Sequence, residues 1–524
     1  MTLPAPVAAM LQPEFYPHRP PDVTLVQSHI SYVFLAGDEV YKLKKPVRFS
    51  FLDFSTLPQR HHFCREEIRL NRRLAGDVYR GVVAICLDGD TYRLGAEDDP
   101  QAVEYAVHMR RLPADRMLDR LLDRHQVTPQ MIDTIAARLA DCHRSATTGP
   151  DIAANGDATA IWQVLEDNYV NARRFRGVTI AADDDDAIQA FARSFLRAHD
   201  RAFRQRQAAG RIRDCHGDLH TEHICYANGL IIFDCIEFNP RFRHCDVASE
   251  IAFLAMDLDY HDHPDYAAHL VARYSAHAND TDVERLVPFY QCYRAYVRGK
   301  VDSLKSIEEE VAAADREAAL QSACRHFALA YRYTWAYSPS LVVIAGLSGT
   351  GKSTVAAALH TRTGFVHINS DIVRKRLAGV PPDTHVRGAY EEGLYSPDHS
   401  ARTYRQMLAE AELRLAEGRG VILDATFQLR AGRDEARRIA KEQNVPLLFV
   451  ECRCSEDAAR RRLRERAAEG SSPSDADWNV YLEQRRRYEP FADSEAPHPL
   501  VIDTTPGLAT STRSIEAAVR RLQS

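Results

Sequence analysis

Residues 341–359 read "LVVIAGLSGTGKSTVAAAL". The apolar run at 341–345 is typical of a buried strand, and the segment from Lys352 onwards is typical of a helix. Between them, residues 346–353 fit the pattern G-x-x-x-x-G-K-[S/T]. A glycine-rich turn at this place lets backbone N–H groups converge on phosphate oxygens beside the positive end of a helix. The stretch therefore predicts a phosphate-binding loop.

We expect this loop to bind ATP, or GTP in its place, together with Mg²⁺. The phosphates would be surrounded by Gly346, Ser348, Gly349, Thr350, Gly351 and Thr354. Lys352 would contact the β and γ phosphates and act in catalysis, and the hydroxyl of Ser353 would ligate Mg²⁺. The alternative is a chance match in an ordinary glycine-rich turn, which the flanking strand and helix disfavour.

Three charged residues extend the predicted site. Asp424 ends the apolar run "VILDAT", so it would hold Mg²⁺ or its water shell, or alternatively cap a helix. In "NSDIVRKRL", Asp371 would take the proton of an acceptor hydroxyl and Arg374 would hold an anionic group. The alternative is that Asp371 caps the next helix and Arg374 lies on the surface.

A basic segment, "ARRRLRERAAEG" at residues 459–470, is followed by "SSPSDAD". Such a helix and loop can form a lid that brings arginine to the transferring phosphoryl group. We expect Arg462 to contact the nucleotide and Arg466 to act in catalysis. The alternative is a solvated basic face, the commoner role of such charge.

Apolar strands alternate with helical segments through this half of the chain. The strands are predicted at residues 341–346, 365–370, 421–426, 446–453 and 500–505. This alternation predicts an α/β domain at 341–524 with a five-stranded parallel sheet. Ser338, Pro339 and Ser340 mark its start because they break regular structure.

With these motifs in this order, residues 341–524 resemble the P-loop kinases that phosphorylate small molecules or nucleic-acid ends. Gluconate kinase-like, polynucleotide kinase-like and zeta-toxin-like proteins share the order. The resemblance implies transfer of a phosphoryl group from ATP or GTP to a hydroxyl. None of the motifs identifies the acceptor.

A second pair of carboxylates lies in "CHGDLHTEHICYANGLIIFDCIEF", residues 215–238. Asp218 precedes a predicted hairpin, and Asp234 ends its apolar second strand, so both can face one pocket. One carboxylate would orient or deprotonate a hydroxyl and the other would bind Mg²⁺. We expect a helix from residue 242 to 260 beneath this loop, with Asp246 holding the loop or capping that helix.

Upstream, Lys42 and Lys44 lie on one face of the strand "VYKLKK" because strand side chains alternate. Glu67, in "REEIRL", would pair with one of them and direct its ammonium at a phosphate.

Residues 25–300 resemble the aminoglycoside phosphotransferase family, the small-molecule branch of the protein-kinase-like fold. The resemblance implies a bilobal α+β domain at 1–335, with a small lobe to about residue 112 and a large lobe at 113–335. It makes Asp218 the catalytic-loop aspartate, Asp234 the metal-binding aspartate and Lys42 the nucleotide lysine, with Lys44 as the alternative. Glu67 would be the partner of that lysine, and "VHMRRLP" the hinge beside the adenine.

One position departs from that family. Five residues after the catalytic aspartate the family has a metal-binding asparagine, and this chain has His223. Neutral imidazole is a poorer ligand than oxygen for Mg²⁺. The histidine at this position favours an alternative in which the first domain is a binding or regulatory module and does not catalyse phosphoryl transfer.

The composition of the chain argues against several other functional classes of protein. The net charge of -6 argues against a large non-specific nucleic-acid binder. No apolar run reaches the roughly 20 residues that span a bilayer, and the first residues lack the pattern of a signal peptide. Eleven thinly spread cysteines predict reduced thiols and a cytoplasmic protein. Zinc at the His and Cys residues of 215–225 is disfavoured because no C-x₂-C pair is present.

The whole chain resembles bacterial proteins in which an aminoglycoside phosphotransferase-like domain is fused to a P-loop kinase or ATPase domain. Together, the motifs and this resemblance predict a bifunctional ATP-dependent phosphotransferase with a small-molecule hydroxyl as acceptor. The alternative is a nucleic-acid end kinase or zeta-toxin-like nucleotide-sugar kinase with a binding module in front. The sequence leaves open both acceptors, the oligomeric state and whether the two domains serve one pathway.

Overall fold

The computed structural model describes residues 3–49, 51–381, 384, 394, 396–469, 476–492, 494–505 and 507–523, with no side chains given for 467–469. The chain divides into two compact units, Met1–Ala330 and Tyr331–Ser524. The division falls inside one helix, Ala313–Tyr333.

The first unit begins with a β-rich lobe. Its strands are β1 Val23–Gln27, β2 Ser31–Ala36, β3 Glu39–Lys44, β4 Arg48–Phe49, β5 Leu52–Asp53, β6 Tyr79–Asp88, β7 Thr91–Gly95 and β8 Ala102–Arg110. Six of them form an antiparallel sheet in the order β1-β2-β3-β8-β6-β7. The predicted hairpin is β2–β3, in which Lys42 pairs with Val33 on one side and Val107 on the other.

The helices of this lobe are α1 Ala5–Ala9 and α2 Leu57–Ala75. Helix α2 starts at a capping box, in which the side chain of Thr56 accepts from the backbone N–H of Gln59. It buries Glu67 together with Ile68 and Leu74. The helix therefore carries one buried acid into the lobe, opposite the lysines of β3.

The second lobe of this unit is helical. Its helices are α3 Leu118–Asp123, α4 Pro129–Ser145, α5 Pro150–Ala153, α6 Ala158–Ala172, α7 Ala182–Ala208, α8 Pro240–Arg243, α9 Val247–Tyr260, α10 Pro264–Ala278, α11 Asp282–Lys305 and α12 Ala313–Tyr333. Two short antiparallel pairs accompany them: β9 Ile212–Asp214 with β12 His244–Asp246, and β10 Ile224–Tyr226 with β11 Leu230–Ile232.

The helix predicted from residue 242 begins later, at Val247. Residues 244–246 pair with β9 instead, so backbone pairing replaces the first turn of the predicted helix. Asp246 caps α9 by accepting from the backbone N–H of Ala248 at 2.8 Å. Its carboxylate also binds the buried guanidinium of Arg206.

The second unit contains a five-stranded parallel sheet. Its strands are β13 Leu341–Ala345, β14 Val366–Asn369, β15 Val421–Asp424, β16 Leu447–Arg453 and β17 Leu500–Asp503, in the order β14-β15-β13-β16-β17. Its helices are α13 Lys352–Thr363, α14 Ser370–Leu377, α15 Pro397–Ala416, α16 Arg430–Glu442, α17 Glu456–Glu469, α18 Trp478–Arg487 and α19 Leu508–Gln523.

The carboxyl ends of parallel strands share one edge of a sheet, where ligands usually bind. The phosphate-binding loop follows β13 at that edge. Asp424 ends β15, which is next to β13, and Asn369 ends β14, which is next to β15. The predicted fold class, a kinase-like domain followed by a five-stranded P-loop domain, is confirmed. Among the described residues, we find no helix both long and apolar enough to cross a bilayer.

Candidate functional site

The loop after β13 passes so close to other backbone segments that two of its positions require glycine. At Gly346 φ is 139° and a Cβ atom would lie 2.5 Å from the carbonyl oxygen of Cys452. At Gly349 φ is 79° and a Cβ atom would lie 3.0 Å from the carbonyl oxygen of Ala459. Both positions combine a left-handed backbone with a tight contact, so a side chain would displace the loop.

Lys352 is the first residue of α13, and its Nζ donates to the carbonyl oxygen of Leu347 at 2.8 Å. Burial lowers the pKa of Lys352, although the nearby carboxylate of Asp424 opposes the change. An ammonium group with few charged partners, beside a helix N-terminus, is suited to bind phosphate.

Asn369 connects the loop to the neighbouring strand. Its amide nitrogen lies 2.6 Å from Oδ2 of Asp424 and 3.4 Å from Oγ of Ser353. Asp424 is buried and also contacts Nε2 of His367 at 3.1 Å. Burial opposes its ionisation, but His367 and Lys352 keep the pKa of Asp424 below its ordinary value. The predicted metal residues Ser353 and Asp424 are thus held by one side chain.

The helix cap here is Asn369, whose Oδ1 accepts from the backbone N–H groups of Asp371 and Ile372. The alternative in which Asp371 is the cap and Arg374 a surface residue is therefore wrong. Arg374 is 8% exposed and forms an ion pair with Asp371.

A cavity of about 730 Å³ joins these groups. Of the predicted residues, it is lined by Ser348, Gly349, Gly351, Lys352, Ser353, Thr354, Asp371, Arg374, Asp424, Arg462 and Arg466. Gly346 and Thr350 shape the loop from outside the cavity wall, and the Thr350 hydroxyl donates to the carbonyl oxygen of Leu347 at 2.8 Å.

The two predicted lid arginines are both on α17. Arg462 donates to the hydroxyl and carbonyl oxygens of Thr504 at 2.9 Å each, and the Thr504 hydroxyl donates to the carbonyl of Thr350. Arg466 donates to the carbonyl oxygen of Ala476. Residues 470–475, which contain most of the predicted lid loop, lie outside the described residues.

Two further residues of this cavity were not predicted. Gln484 of α18 accepts from the backbone N–H of Ser348 at 2.9 Å, and the Tyr404 hydroxyl lies 3.0 Å from Oγ1 of Thr426. No motif spacing indicates either residue, since Gln484 follows Ser348 by 136 positions.

In the first unit, Glu67 binds both lysines of β3. Its two oxygens lie 2.9 Å from Nζ of Lys42 and 2.8 Å from Nζ of Lys44. Lys44 is buried and forms a second ion pair with Glu237, whereas Lys42 reaches Oδ1 of Asp234 at 2.6 Å and lines a cavity. The structure therefore places Lys42, rather than Lys44, towards the predicted site.

The loop that carries Asp218 is held by carboxylates from α9. Glu250 accepts from the backbone N–H groups of His216 and Gly217 at 2.7 and 3.0 Å. Asp257 accepts from the backbone and hydroxyl of Thr221 at 2.7 and 2.6 Å. Glu250 and Asp257, not Asp246, therefore hold this loop.

Asp218 lies 3.6 Å from Nε2 of His220. Burial opposes its ionisation, but His220 holds the pKa of the Asp218 carboxyl well below its usual range. Burial would lower the pKa of His220, but Asp218 raises it above the ordinary value. Asp218 is thus held as a carboxylate that accepts hydrogen bonds.

His223 lies between the two predicted catalytic carboxylates. Its Nδ1 donates to the backbone carbonyl of Asp218 at 2.8 Å, and its Nε2 lies 3.5 Å from Oδ2 of Asp234. Burial and the neighbouring His220 lower the pKa of His223, which favours the neutral ring. Because Nδ1 carries the proton, Nε2 presents a lone pair towards a carboxylate oxygen.

Asp234 has the left-handed φ of 62°, which aspartate tolerates better than most residues. Burial opposes its ionisation, but the ammonium of Lys42 lowers the pKa of Asp234. Two electron-pair donors that face each other fit a cation between them, so the donor set of Asp234 and His223 suits a metal ion. Ser353 and Asp424 are an oxygen set suited to Mg²⁺ in the second unit.

One observation bears on the alternative of a zinc site. Ligand atoms of Asp218, His220 and His223 lie within 4.8 Å of one another, as do those of Cys215, Cys245 and Glu250. Within the described part of the chain, however, Glu250 already binds two backbone N–H groups, and His220 pairs with Asp218. These contacts explain both clusters without zinc.

A cavity of about 640 Å³ in the first unit is lined by Lys42, Asp218 and Asp234. Side chains from α6 and α11 form its far wall. Its volume is that of a small-molecule site.

Comparison with known proteins agrees with this architecture. Residues 36–287 match the family model described as the phosphotransferase enzyme family, and residues 341–491 match the one described as an AAA domain. These kinase-like domains imply nucleotide binding and a small-molecule substrate.

Two solved structures are similar to parts of the chain. A gluconokinase from Sinorhizobium meliloti 1021 is 23% identical, covers 35% of this chain and 94% of its own, and has a TM-score of 0.26. A choline/ethanolamine kinase family protein from Mesorhizobium loti is 13% identical, covers 62% of this chain and 98% of its own, and has a TM-score of 0.37.

Similarity over nearly the full length comes from mycobacteria. The uncharacterized proteins Rv2004c of Mycobacterium tuberculosis and Mb2027c of Mycobacterium bovis are each 31% identical over 470 residues, which is 89% of this chain and 90% of theirs. The chain therefore belongs to the family of these mycobacterial proteins, and it joins a phosphotransferase-family domain to an AAA-type P-loop domain.

Proposed function

We propose that this protein is an ATP-dependent phosphotransferase with an active site in each unit, and that each site phosphorylates a hydroxyl of a small molecule. The observation that carries the proposal is that one lysine and two carboxylates, distant in sequence, line one cavity in each unit. These are Lys42, Asp218 and Asp234 in the first unit, and Lys352, Asp371 and Asp424 in the second.

In the first unit, Glu67 orients Lys42 towards the phosphates of ATP. Asp218 accepts a hydrogen bond from the acceptor hydroxyl and aligns its oxygen with the γ-phosphorus. A bond forms between these two atoms while the bond from the γ-phosphorus to the β,γ-bridging oxygen breaks. The hydroxyl proton passes to Asp218, and ADP leaves. Because the pKa of Asp218 is low, alignment contributes more than early proton removal.

In the second unit, the backbone N–H groups of the loop and Lys352 bind the phosphates. Asp371 aligns the acceptor hydroxyl, while Arg374 and Arg466 offset the charge of the transferring group. Arg462 keeps α17 beside the loop through Thr504.

Asp234 with His223, and Ser353 with Asp424, would hold Mg²⁺, whose charge would offset that of the phosphates. GTP would serve in place of ATP at the same groups, since these groups would bind only the phosphates and the metal, which the two nucleotides share.

The test is transfer of label from γ-labelled ATP to a metabolite extract and to RNA, using full-length chains. We expect Asp218→Asn to remove one set of products, Lys352→Ala to remove another, and the double variant to remove both. Asp90→Asn and Lys441→Ala, which change exposed residues outside the cavities, are the matched controls. Unchanged labelling in the double variant would refute the proposal.

The same variants test whether the first unit only binds or regulates. Mg²⁺-dependent ATP turnover by the Lys352→Ala chain, lost on adding Asp218→Asn, supports an active first unit. Turnover that is absent from the Lys352→Ala chain, with nucleotide still bound, supports the binding module.

A further inference from the structure

We propose that the first unit selects an acceptor that carries an oxyanion, a carboxylate or a phosphate, in addition to the hydroxyl that receives the phosphoryl group. This inference rests on the proposed function of that unit. It concerns the wall of the 640 Å³ cavity that α11 supplies.

That wall is basic. Arg294, Arg298 and Lys300 of α11 all line the cavity that contains Asp218. Arg294 and Arg298 are four positions apart, so they share one face of the helix. The cationic groups therefore lie along the same cavity as the residue that would align the acceptor.

Among the residues that the structure describes, no carboxylate lies at ion-pair distance from these cations. Arg298 forms no hydrogen bond and no ion pair with any residue that the structure describes, and its buried Nε has no partner. Asp302, Asp218 and Asp257 act on Arg298 only at longer range. A guanidinium nitrogen that is buried without a partner costs free energy, and a bound acceptor group can supply that partner.

The other two cations are bound by neutral groups. Arg294 donates to the Ser249 hydroxyl at 3.2 Å and to the Gly217 carbonyl at 3.1 Å. Lys300 donates to Oδ1 of Asn168 at 2.6 Å. Burial lowers the pKa of Lys300 to about 8, although the more distant carboxylate of Asp167 opposes the change.

The carboxylates of the cavity, in contrast, already have cationic partners. Asp234 pairs with Lys42, Glu237 with Lys44, and Asp246 with Arg206. Asp218 faces His220. The unpaired charge on the acceptor side is therefore positive. A polycationic amine would meet repulsion there, whereas an oxyanion would form charge-assisted hydrogen bonds with Arg298 and Lys300.

Four three-carbon probes that differ in one terminal group test the proposal: D-glycerate, glycerol 3-phosphate, glycerol and 3-amino-1,2-propanediol. Each is titrated calorimetrically into the full-length Lys352→Ala chain saturated with magnesium and a non-hydrolysable ATP analogue. We expect the two anions to bind more tightly than glycerol, and the amine to bind least. Comparison of the two anions distinguishes a carboxylate site from a phosphate site.

Arg298→Gln and Lys300→Gln should each weaken binding of the preferred anion about tenfold, because each removes one charged hydrogen-bond donor. Lys305→Gln, an exposed lysine of the same helix, is the matched control and should leave binding unchanged. If the favoured anion is phosphorylated, both variants should raise its KM more than they lower kcat.

Tighter binding of the amine, no binding of either anion, or equal affinity in the Lys352→Ala chain with and without Arg298→Gln or Lys300→Gln would overturn the proposal. Failure of the proposed function gives a different result. In that case the anion preference persists and depends on Arg298, while the Lys352→Ala chain neither binds the nucleotide analogue nor transfers phosphate to any acceptor.

Discussion

Asn369 donates to Asp424 across 2.6 Å while its side-chain oxygen caps helix α14. One amide therefore fixes the buried carboxylate at the end of β15 and the helix that carries Asp371. The same nitrogen lies 3.4 Å from the hydroxyl of Ser353. Three parts of the second site depend on this residue, although no motif singled it out.

Asn369→Ala should destabilise the protein by about 1 kcal/mol for the lost cap and about 1–3 kcal/mol for the buried Asp424 oxygen that loses a donor. Asn369→Ser keeps a cap but does not reach Asp424, so it should recover the cap contribution without recovering phosphoryl transfer by the second unit. Denaturant unfolding and labelled transfer in the Asp218→Asn chain measure the two effects. Full activity of Asn369→Ser would contradict this role.

Gly346→Ala should abolish nucleotide binding by the second unit, since its Cβ would lie 2.5 Å from the Cys452 carbonyl oxygen. Gly507→Ala has a similar φ of 145° but its Cβ meets nothing within 4 Å, so it is a matched control for backbone strain. Nucleotide affinity of the second unit, measured by calorimetry in the Lys42→Met chain, whose first unit lacks its phosphate-binding lysine, should fall more than about tenfold only for Gly346→Ala. Equal affinities of the two variants would show that the close contact is unimportant.

Lys44 should contribute mainly to the stability of the first unit, and Lys42 mainly to phosphoryl transfer by that unit. Lys44→Met leaves Glu237 buried without its cation, so it should destabilise the first unit by about 3–5 kcal/mol. Lys42→Met should cost less stability, because Lys44 still neutralises Glu67, but should remove transfer by the first unit. Unfolding curves and transfer rates in the Lys352→Ala chain separate the effects. Adding Glu237→Gln should recover part of the stability that Lys44→Met loses.

The contact between Asp218 and His220 should determine the pH at which the first unit loses activity in acid. The carboxyl of Asp218 has a pKa well below its usual range, so the carboxylate and its contribution to stability are lost only in strong acid. His220→Gln removes the main group that lowers this pKa, while burial still raises it. The acid limb of kcat/KM for the first unit should therefore move upward in pH. His62→Gln, an exposed histidine, should leave the profile unchanged. An identical acid limb in His220→Gln would refute the coupling.

The imidazole of His223 should influence how much Mg²⁺ the first unit needs for phosphoryl transfer. Imidazole suits Mg²⁺ less well than an amide oxygen does. His223→Asn should lower the Mg²⁺ concentration needed for half-maximal transfer by the first unit, while the requirement of the second unit stays the same. Magnesium titrations of the Lys352→Ala and Asp218→Asn chains make the comparison. A higher requirement in His223→Asn would show that Nε2 serves the metal better than oxygen.

Much of the fold follows from local patterns. The apolar runs predicted the five parallel strands, and the alternation "VYKLKK" predicted that Lys42 and Lys44 share a face, because both signals lie within a few residues. The start of α9 was predicted too early. Residues 244–246 pair with β9, about thirty positions earlier, and such pairing leaves no local signal.

The groups that hold the site were harder to predict. Glu250 reaches the backbone of His216 and Gly217 from the first turn of a helix that reads only as core. Gln484 reaches the backbone of Ser348 in the same way. A polar side chain that binds distant backbone follows no spacing rule, so its partner is known only once the chain has folded.

By itself, the sequence determined the motif of the phosphate-binding loop, the strand and helix order of the second unit and the acidic residues predicted for each site. These depend on residue types at short fixed spacings. Only the tertiary structure decided that Lys42 faces the cavity while Lys44 is buried, that Asn369 joins Ser353 to Asp424, and that Arg298 has no ion-pair partner among the described residues. The physical reason is that ion pairing and burial depend on distances between segments far apart in the chain, which folding sets and local composition does not record.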